Sequence, residues 1–521
     1  MAPRARRIAP APAWAALLSL PLAAPAAAAP EAAAIWRDLQ DALAAYGYEA
    51  EVDGEEVADD RVRLRGLSLV SETEGQALDE RNELVGSTER VVVRVGDVEL
   101  REEGDAVAIL LPAEVPVALE TTVEGEPPVI VTGRVLSEGL AVAVSEAEGG
   151  YRYTVDADAQ SLVLDDVEGG GAPVDLDVTI RVEDLSSESL SAAAEGGRTG
   201  TQSQRAARLT AEVRFEDPAP DGGGAFDLAY AMADLSLTAE SRTPEGTDLS
   251  DLAALVRAGG LYDVELLYGA SRLEAAVDGP GGAFAATGAG EAGALSLGMD
   301  EAGFAYALRT TGTALTLRGD ALPVPELSYT VGGTATELRL PLLAGPAPQP
   351  FAFAVALRDL ALDDALWSLF DPGAVLPRDP ATLDLSLDGT ALVPEDLLGA
   401  MEPDDESDAN PPSLVALAIE RLVLDVAGAR LTASGAFEAA EEGTPAAPGL
   451  PPLSGALQMD LSGAEALLDS LVAIGLMPQE QAAFVRGMLG FVARPTGTDA
   501  YATEIELGAD GSVTAGGMAL R

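Results

Sequence analysis

Carboxylates are the only abundant side chains in this sequence with acid–base or metal-binding chemistry. Its 521 residues hold 86 Asp plus Glu and no histidine or cysteine, and all 31 basic residues are arginine, so lysine is absent too. That rules out an imidazole base near neutral pH, a thiolate, a Schiff-base amine and a Ser-His pair. A zinc site would have to be built from carboxylates alone, against the preference of that ion for nitrogen and sulfur. Two carboxylates can hydrolyse a glycosidic bond unaided. With so many acids, however, some pair always falls at a suggestive spacing. An aromatic content of 4% also leaves few faces on which a sugar could stack. The densest acid group is Asp404, Asp405, Glu406 and Asp408, ahead of Pro411-Pro412. Oxygen ligands suit calcium, but this group lacks the regular spacing and turn glycine of a dedicated loop. It reads as a solvated acidic loop. No catalytic, cofactor-binding or metal-ligating residue is assigned. The chain is expected to be non-enzymatic, with a carboxylate-based glycoside hydrolase as the remote alternative.

Charge sets the next bound. A formal net charge of −55 repels phosphate backbones and anionic headgroups, so nucleic acid is not an expected partner. Such acidity fits a salty habitat or a need for solubility as readily as a functional surface. A hydrophobic content of 48% allows a large core, and the shortage of aromatics means that core is built from Val, Leu, Ile and Ala.

The elements follow from periodicity. Ile35, Leu39 and Leu43, with Trp36 and Tyr46 alongside, form an i, i+4, i+8 stripe that predicts a helix over about 31–46. Beyond Gly47 the dominant period is two. Val174, Leu176, Val178, Ile180 and Val182 alternate with charged and polar residues, and so do Leu383, Leu385 and Leu387. Short spacing and Gly/Pro/Asp turns between such runs predict antiparallel meanders rather than βαβ units. Further helices are expected near 248–258, 360–371 and 463–491, the last broken into a hairpin at Gly475-Leu476-Met477-Pro478. Residues 197–205, 217–224 and 401–413 read as loops. The expected fold is mainly β: long antiparallel twisted sheets of meander type, compatible with a β-groove, and a few covering helices. Two β-rich halves are expected, 29–247 and 248–521.

Residues 1–28 carry a secretory signal pattern. Arg4, Arg6 and Arg7 precede an apolar run containing Leu17, Leu18, Leu20 and Leu22, and Ala26-Ala27-Ala28 offers an A-x-A cleavage site. Export to the periplasm with cleavage near Ala28 is expected, a retained anchor being the competing reading. No later stretch has the run of apolar residues that a spanning helix needs, so no transmembrane span is expected in the mature chain.

Two segments carry a family resemblance. One is Asp363-Asp-Ala-Leu-Trp-Ser-Leu-Phe-Asp-Pro-Gly-Ala-Val-Leu-Pro-Arg-Asp-Pro-Ala-Thr-Leu383. The other runs from Leu467 to Gln481 and resumes at Met488-Leu-Gly-Phe-Val-Ala-Arg-Pro495. Both resemble the alphaproteobacterial family called domain of unknown function 2125. The Ile35-Trp36 helix and the Val62–Leu69 strands fit the same pattern. The resemblance implies no catalytic residues. The strand-turn-glycine phrasing of 421–463 also resembles, diffusely, the AsmA-like envelope proteins, which implies a lipid-bridging β-groove.

Function is then read from architecture. Val174, Leu176, Val178, Ile180, Leu383, Leu385 and Leu387 are the candidate apolar face, with lipid or other envelope components as expected partners and no cofactor. The competing possibility is that the same face is an ordinary core, closed by the helices at 35–46 and 463–491, in a structural or protein-binding scaffold.

Overall fold

In a computed structural model, residues 30–45, 47–78, 84–169, 172–216, 223–247, 252–398, 411–440, 443 and 451–520 are described. The signal pattern at 1–28, the acid group at 404–408, Tyr46, residues 217–222 and residues 248–251 lie outside them. The chain divides into two compact units. The first is Met1–Leu249 with Val264–Thr287 and Gly319–Ala321. The second is Ser250–Asp263, Gly288–Arg318 and Leu322–Arg521.

The first unit opens with α1 (Ala32–Ala45), followed by β1 (Glu49–Glu51), β2 (Gly54–Ala58), β3 (Arg61–Leu78), β4 (Leu84–Glu103), β5 (Ala106–Leu110), β6 (Glu114–Val123), β7 (Val129–Glu138), β8 (Ala141–Ala147), β9 (Gly150–Gly169), β10 (Ala172–Pro173), β11 (Asp175–Ala194), β12 (Gly197–Glu216) and β13 (Ala225–Pro244). Pairing is antiparallel throughout: β9 with β11, β11 with β12, β12 with β13. The fold is mainly β and of meander type, as periodicity predicts.

Several of these strands run for 18 to 20 residues, well beyond the usual five or six. Four of them, β9 and β11–β13, fold over along one row of irregular residues. Asp184 and Asp234 adopt positive φ of 51° and 53° in mid-strand, a region that aspartate tolerates better than most side chains. Cross-strand pairing is interrupted there. Asp158 and Asp184 lie between the pairs Glu183–Ala159 and Leu185–Ala157, and Ala207 and Asp234 lie between Ala206–Leu235 and Arg208–Ala233. The row continues to Gly139, whose φ is 63° and where an added Cβ would come within 2.3 Å of Asp158 Oδ2. Each irregular residue shifts the alternation by one, and a one-residue slip exchanges the two faces of a strand. The row is therefore a crease, and both walls meeting at it turn aliphatic side chains inward.

α1 packs on this unit. Ile35, Trp36, Ala42 and Leu43 join Val62, Leu64, Val93, Leu100, Val107 and Val144 in one buried cluster. At 1.5–3 kcal/mol per large aliphatic side chain, roughly, this cluster is a major source of the stability of the unit.

Two sequence expectations are corrected here. Residues 197–205 are not a loop but the first half of β12. Their inward positions, Arg198, Gly200, Gln202 and Gln204, include no large apolar side chain, so no apolar alternation marks the strand. The helix expected over 360–371 is α3 (Asp364–Ser368), because the preceding strand continues to Leu362.

The second unit contains α2 (Leu252–Arg257), α3, and the hairpin of α4 (Ala464–Ala473) and α5 (Gln479–Val492). Its meander includes the strands Gly303–Gly319, Glu326–Leu340, Gln349–Leu362, Ala381–Leu392, Ser413–Val426, Ala429–Ala439 and Leu453–Ser462, each paired antiparallel with the next. The segment 363–383 is a structural clasp. Asp363 caps α3 by accepting from Leu366 N at 2.7 Å and also accepts from Ser328 N and Oγ at 2.6 and 2.7 Å. Asp371, inaccessible to solvent, accepts from Val375 N and Leu376 N. Arg378 lies 5.7 Å from the Trp367 ring centroid. α5 leaves Phe484 69% and Phe491 73% exposed, so this helix does not act as a lid on an apolar sheet face.

Candidate functional site: an aliphatic cavity at the crease

The two walls of the first unit enclose a cavity of about 470 Å³, within the range of small-molecule sites, roughly 300–1,000 Å³. Its lining shows the phase slip strand by strand. β11 contributes Ile180 and Val182 from one wall, then Leu185 and Ser189 from the other. β12 contributes Gln204 and Ala206, then Leu209. β13 contributes Met232, then Leu235 and Leu237. β9 gives Tyr153 and Val155 on one side, Gln160 and Leu162 on the other. Trp36, Leu39 and Leu43 of α1 form a third side. Even positions become odd, or the reverse, at Asp158, Asp184, Ala207 and Asp234 in turn.

The polar groups are few and concentrated. Beneath α1, Tyr153 donates from its hydroxyl to Asp38 Oδ2 at 3.2 Å; both residues are buried. Burial is the main cause that pushes the Tyr153 phenol far up from its ordinary range, and the Asp38 carboxylate adds to it. Arg198 donates to Ser191 Oγ at 2.7 Å, and burial lowers its pKa against the opposing pull of Asp38 and Tyr153. Nearer the crease, Ser137 on β7 faces Gln160 on β9, and both line the cavity with Ser189, Gln204 and Ser161, whose hydroxyl accepts from Arg181 at 3.2 Å. The Trp36 ring also lines it, and its indole N–H is buried without an acceptor among the described residues. Arg205 is the one charged residue among the described lining. It alternates with the inward Gln204 and Ala206, and it is exposed.

The seven residues singled out from the sequence are all half-buried. Val174, Leu176, Val178 and Ile180 belong to the first unit. Leu176 sits opposite Phe215, Val178 opposite Val213, and Ile180 opposite Ala211 and Leu162. Of the seven, Ile180 lines the cavity. Leu383, Leu385 and Leu387 belong to the second unit, flanked by Leu357, Val355 and Phe353 on one side and by Leu424, Leu422 and Ile419 on the other. Four of the seven therefore belong to the first unit and three to the second. Sequence reasoning missed Leu64, Tyr153, Leu185, Leu209, Leu235 and the polar lining residues. The available signal was the phase slip itself, as in Val182-Glu-Asp-Leu185.

Among the described residues no three acids are gathered as a metal site, and no helix is long and apolar enough to cross a membrane. A family model described as "Uncharacterized protein conserved in bacteria (DUF2125)" matches residues 263–520. The match does not reach α1 or the Val62–Leu69 strand, and of the cavity lining it includes only Leu266. No curated protein and no solved structure matches the chain.

Proposed function

We propose that this chain, which over residues 263–520 belongs to a bacterial family of unknown function (DUF2125), is an exported binding protein that shelters the acyl chain of a lipid in the creased first unit. One observation carries the reading: a cavity of about 470 Å³ walled on three sides by aliphatic residues of β3–β5, β9, β11–β13 and α1. A site for chemistry needs converging acids, bases or metal ligands. This one offers mostly hydrocarbon, a few neutral hydrogen-bonding groups and a single arginine, which suit retention of an apolar chain without reaction on it. The basic and apolar pattern of residues 1–28 supports export to the periplasm, where a lipid in transit between membranes needs such shelter.

The test is extraction of protein purified from its native cells, followed by lipid mass spectrometry. A near-stoichiometric acyl lipid is expected, and Leu209→Glu, which places a charge inside the cavity, should abolish it while the protein stays folded. Natively purified protein that carries no acyl lipid would overturn the reading.

A protein-binding scaffold is the second reading. The face of α5 formed by Phe484, Met488 and Phe491 favours it, since large exposed apolar patches mark contact surfaces. Substituting Phe484 and Phe491 by serine should leave the lipid cargo unchanged if the cavity is the binding site.

A further inference from the structure

We infer that the cavity selects an uncharged amphiphile, an aliphatic chain with a neutral ester, hydroxyl or amide head such as a monoacylglycerol, over a fatty-acid anion. The inference rests on the acyl-chain reading above and adds the class of head to it. It begins with four side chains. Ser137, Gln160, Ser189 and Gln204 all line the cavity. Their side chains make no hydrogen bond to another described residue, although Gln160 and Ser137 lie directly opposite one another.

Three of the four lie close to the crease in sequence. Gln160 is two residues beyond Asp158, Ser189 five beyond Asp184, and Gln204 three before Ala207. With Tyr153, Ser161 and Arg205, the four are the polar residues of a lining that is otherwise apolar. Polar side chains turned into an apolar site cost free energy unless something bonds to them. Hydroxyls and carboxamides offer both donors and acceptors, a match for a head that also carries both.

Charge points the same way. The chain carries a net charge of −55, which opposes entry of an anion. Two charged groups beside the lining Tyr153 are already engaged, Asp38 with Tyr153 and Arg198 with Ser191. Arg205 alternates with the inward positions and is exposed. A carboxylate inside the cavity would therefore be desolvated, and the one cation of the lining, Arg205, is held out in water.

The experiment is competition against a fluorescent apolar probe, N-phenyl-1-naphthylamine, bound to the full chain at pH 8. The competitors are monopalmitoylglycerol, palmitate and hexadecane. Monopalmitoylglycerol is expected to displace the probe about tenfold more tightly than either other ligand, the effect of one or two neutral hydrogen bonds. In a Gln160→Met, Gln204→Met variant that advantage should fall about tenfold, with hexadecane and the probe unaffected. Ser189→Ala is a milder second variant and should reduce it by about threefold. Palmitate binding as tightly as monopalmitoylglycerol would overturn the inference, and loss of that palmitate binding in Arg205→Gln would assign the head to Arg205. An unchanged preference in the glutamine variant would also overturn it. Failure of the probe itself to bind would instead overturn the acyl-chain reading.

Discussion

Asp184 shows how one residue changes what a whole strand presents. Its φ of 51° lets β11 turn Ile180 and Val182 inward on one side and Leu185 and Ser189 on the other. A β-branched side chain is strained in that conformation. Asp184→Val should lower the unfolding free energy by about 1–2 kcal/mol, whereas Asp184→Gly should change it by less than about 1 kcal/mol. Urea titration of both variants compares them, and equal effects would mean that backbone conformation is not the cause. Tyr153 supplies a pH test. Its phenol stays protonated in the fold well above the pH of about 10 at which an unfolded tyrosine ionises. The unfolded chain therefore loses that proton first, so stability from this group is complete below about pH 10 and declines as pH rises beyond it. Tyr153→Phe should flatten the alkaline decline. It should also lower stability at neutral pH by about 1–3 kcal/mol, because Asp38 loses a donor in a buried place.

At the scale of elements, much of the fold was legible. The stripe Ile35, Leu39, Leu43 marks α1, and the break at Gly475-Leu476-Met477-Pro478 separates α4 from α5. The first half of β12 was not legible, because its inward positions are arginine, glycine and glutamine. A period-two reading looks for apolar residues and finds none there. The crease was hidden for a related reason: each half of a folded strand alternates correctly, but with opposite phase, so the pattern reads as two short strands. Val174 to Ile180 thus looked like a complete face, although it is one wall of two. In the second unit, Asp363 joins elements across 35 residues of sequence through Ser328. Burial alone would raise its carboxyl, but the N–H groups of Leu366 and Ser328 and the Ser328 hydroxyl outweigh that and hold it low. Its contribution is thus present above the unfolded value near 3.9 and is lost as pH falls below it. Asp363→Ala removes a helix cap and should cost about 0.5–2 kcal/mol. The acid limb of a thermal-stability profile should become shallower in that variant.

At the scale of the whole molecule, net charge and the cavity govern behaviour. A charge of −55 opposes compaction through self-repulsion, and raising salt from about 0.1 M to 1 M shortens the screening length from about 10 Å to 3 Å. The midpoint of thermal unfolding should therefore rise with sodium chloride by at least about 2–4 °C, the equivalent of roughly 1 kcal/mol in units of this size. A midpoint that falls with salt would show that specific ion pairs such as Arg134 with Asp165 outweigh the repulsion. The central claim is that an acyl chain occupies the crease of the first unit, and Trp36, which lines the cavity, can report it directly. In a Trp14→Phe, Trp367→Phe variant of the full chain, Trp36 is the one remaining indole. Titration with monoacylglycerol brominated in mid-chain should quench more than half of its emission, saturably and near one equivalent. Emission from Trp36 that stays unchanged on addition of the brominated lipid would contradict the claim.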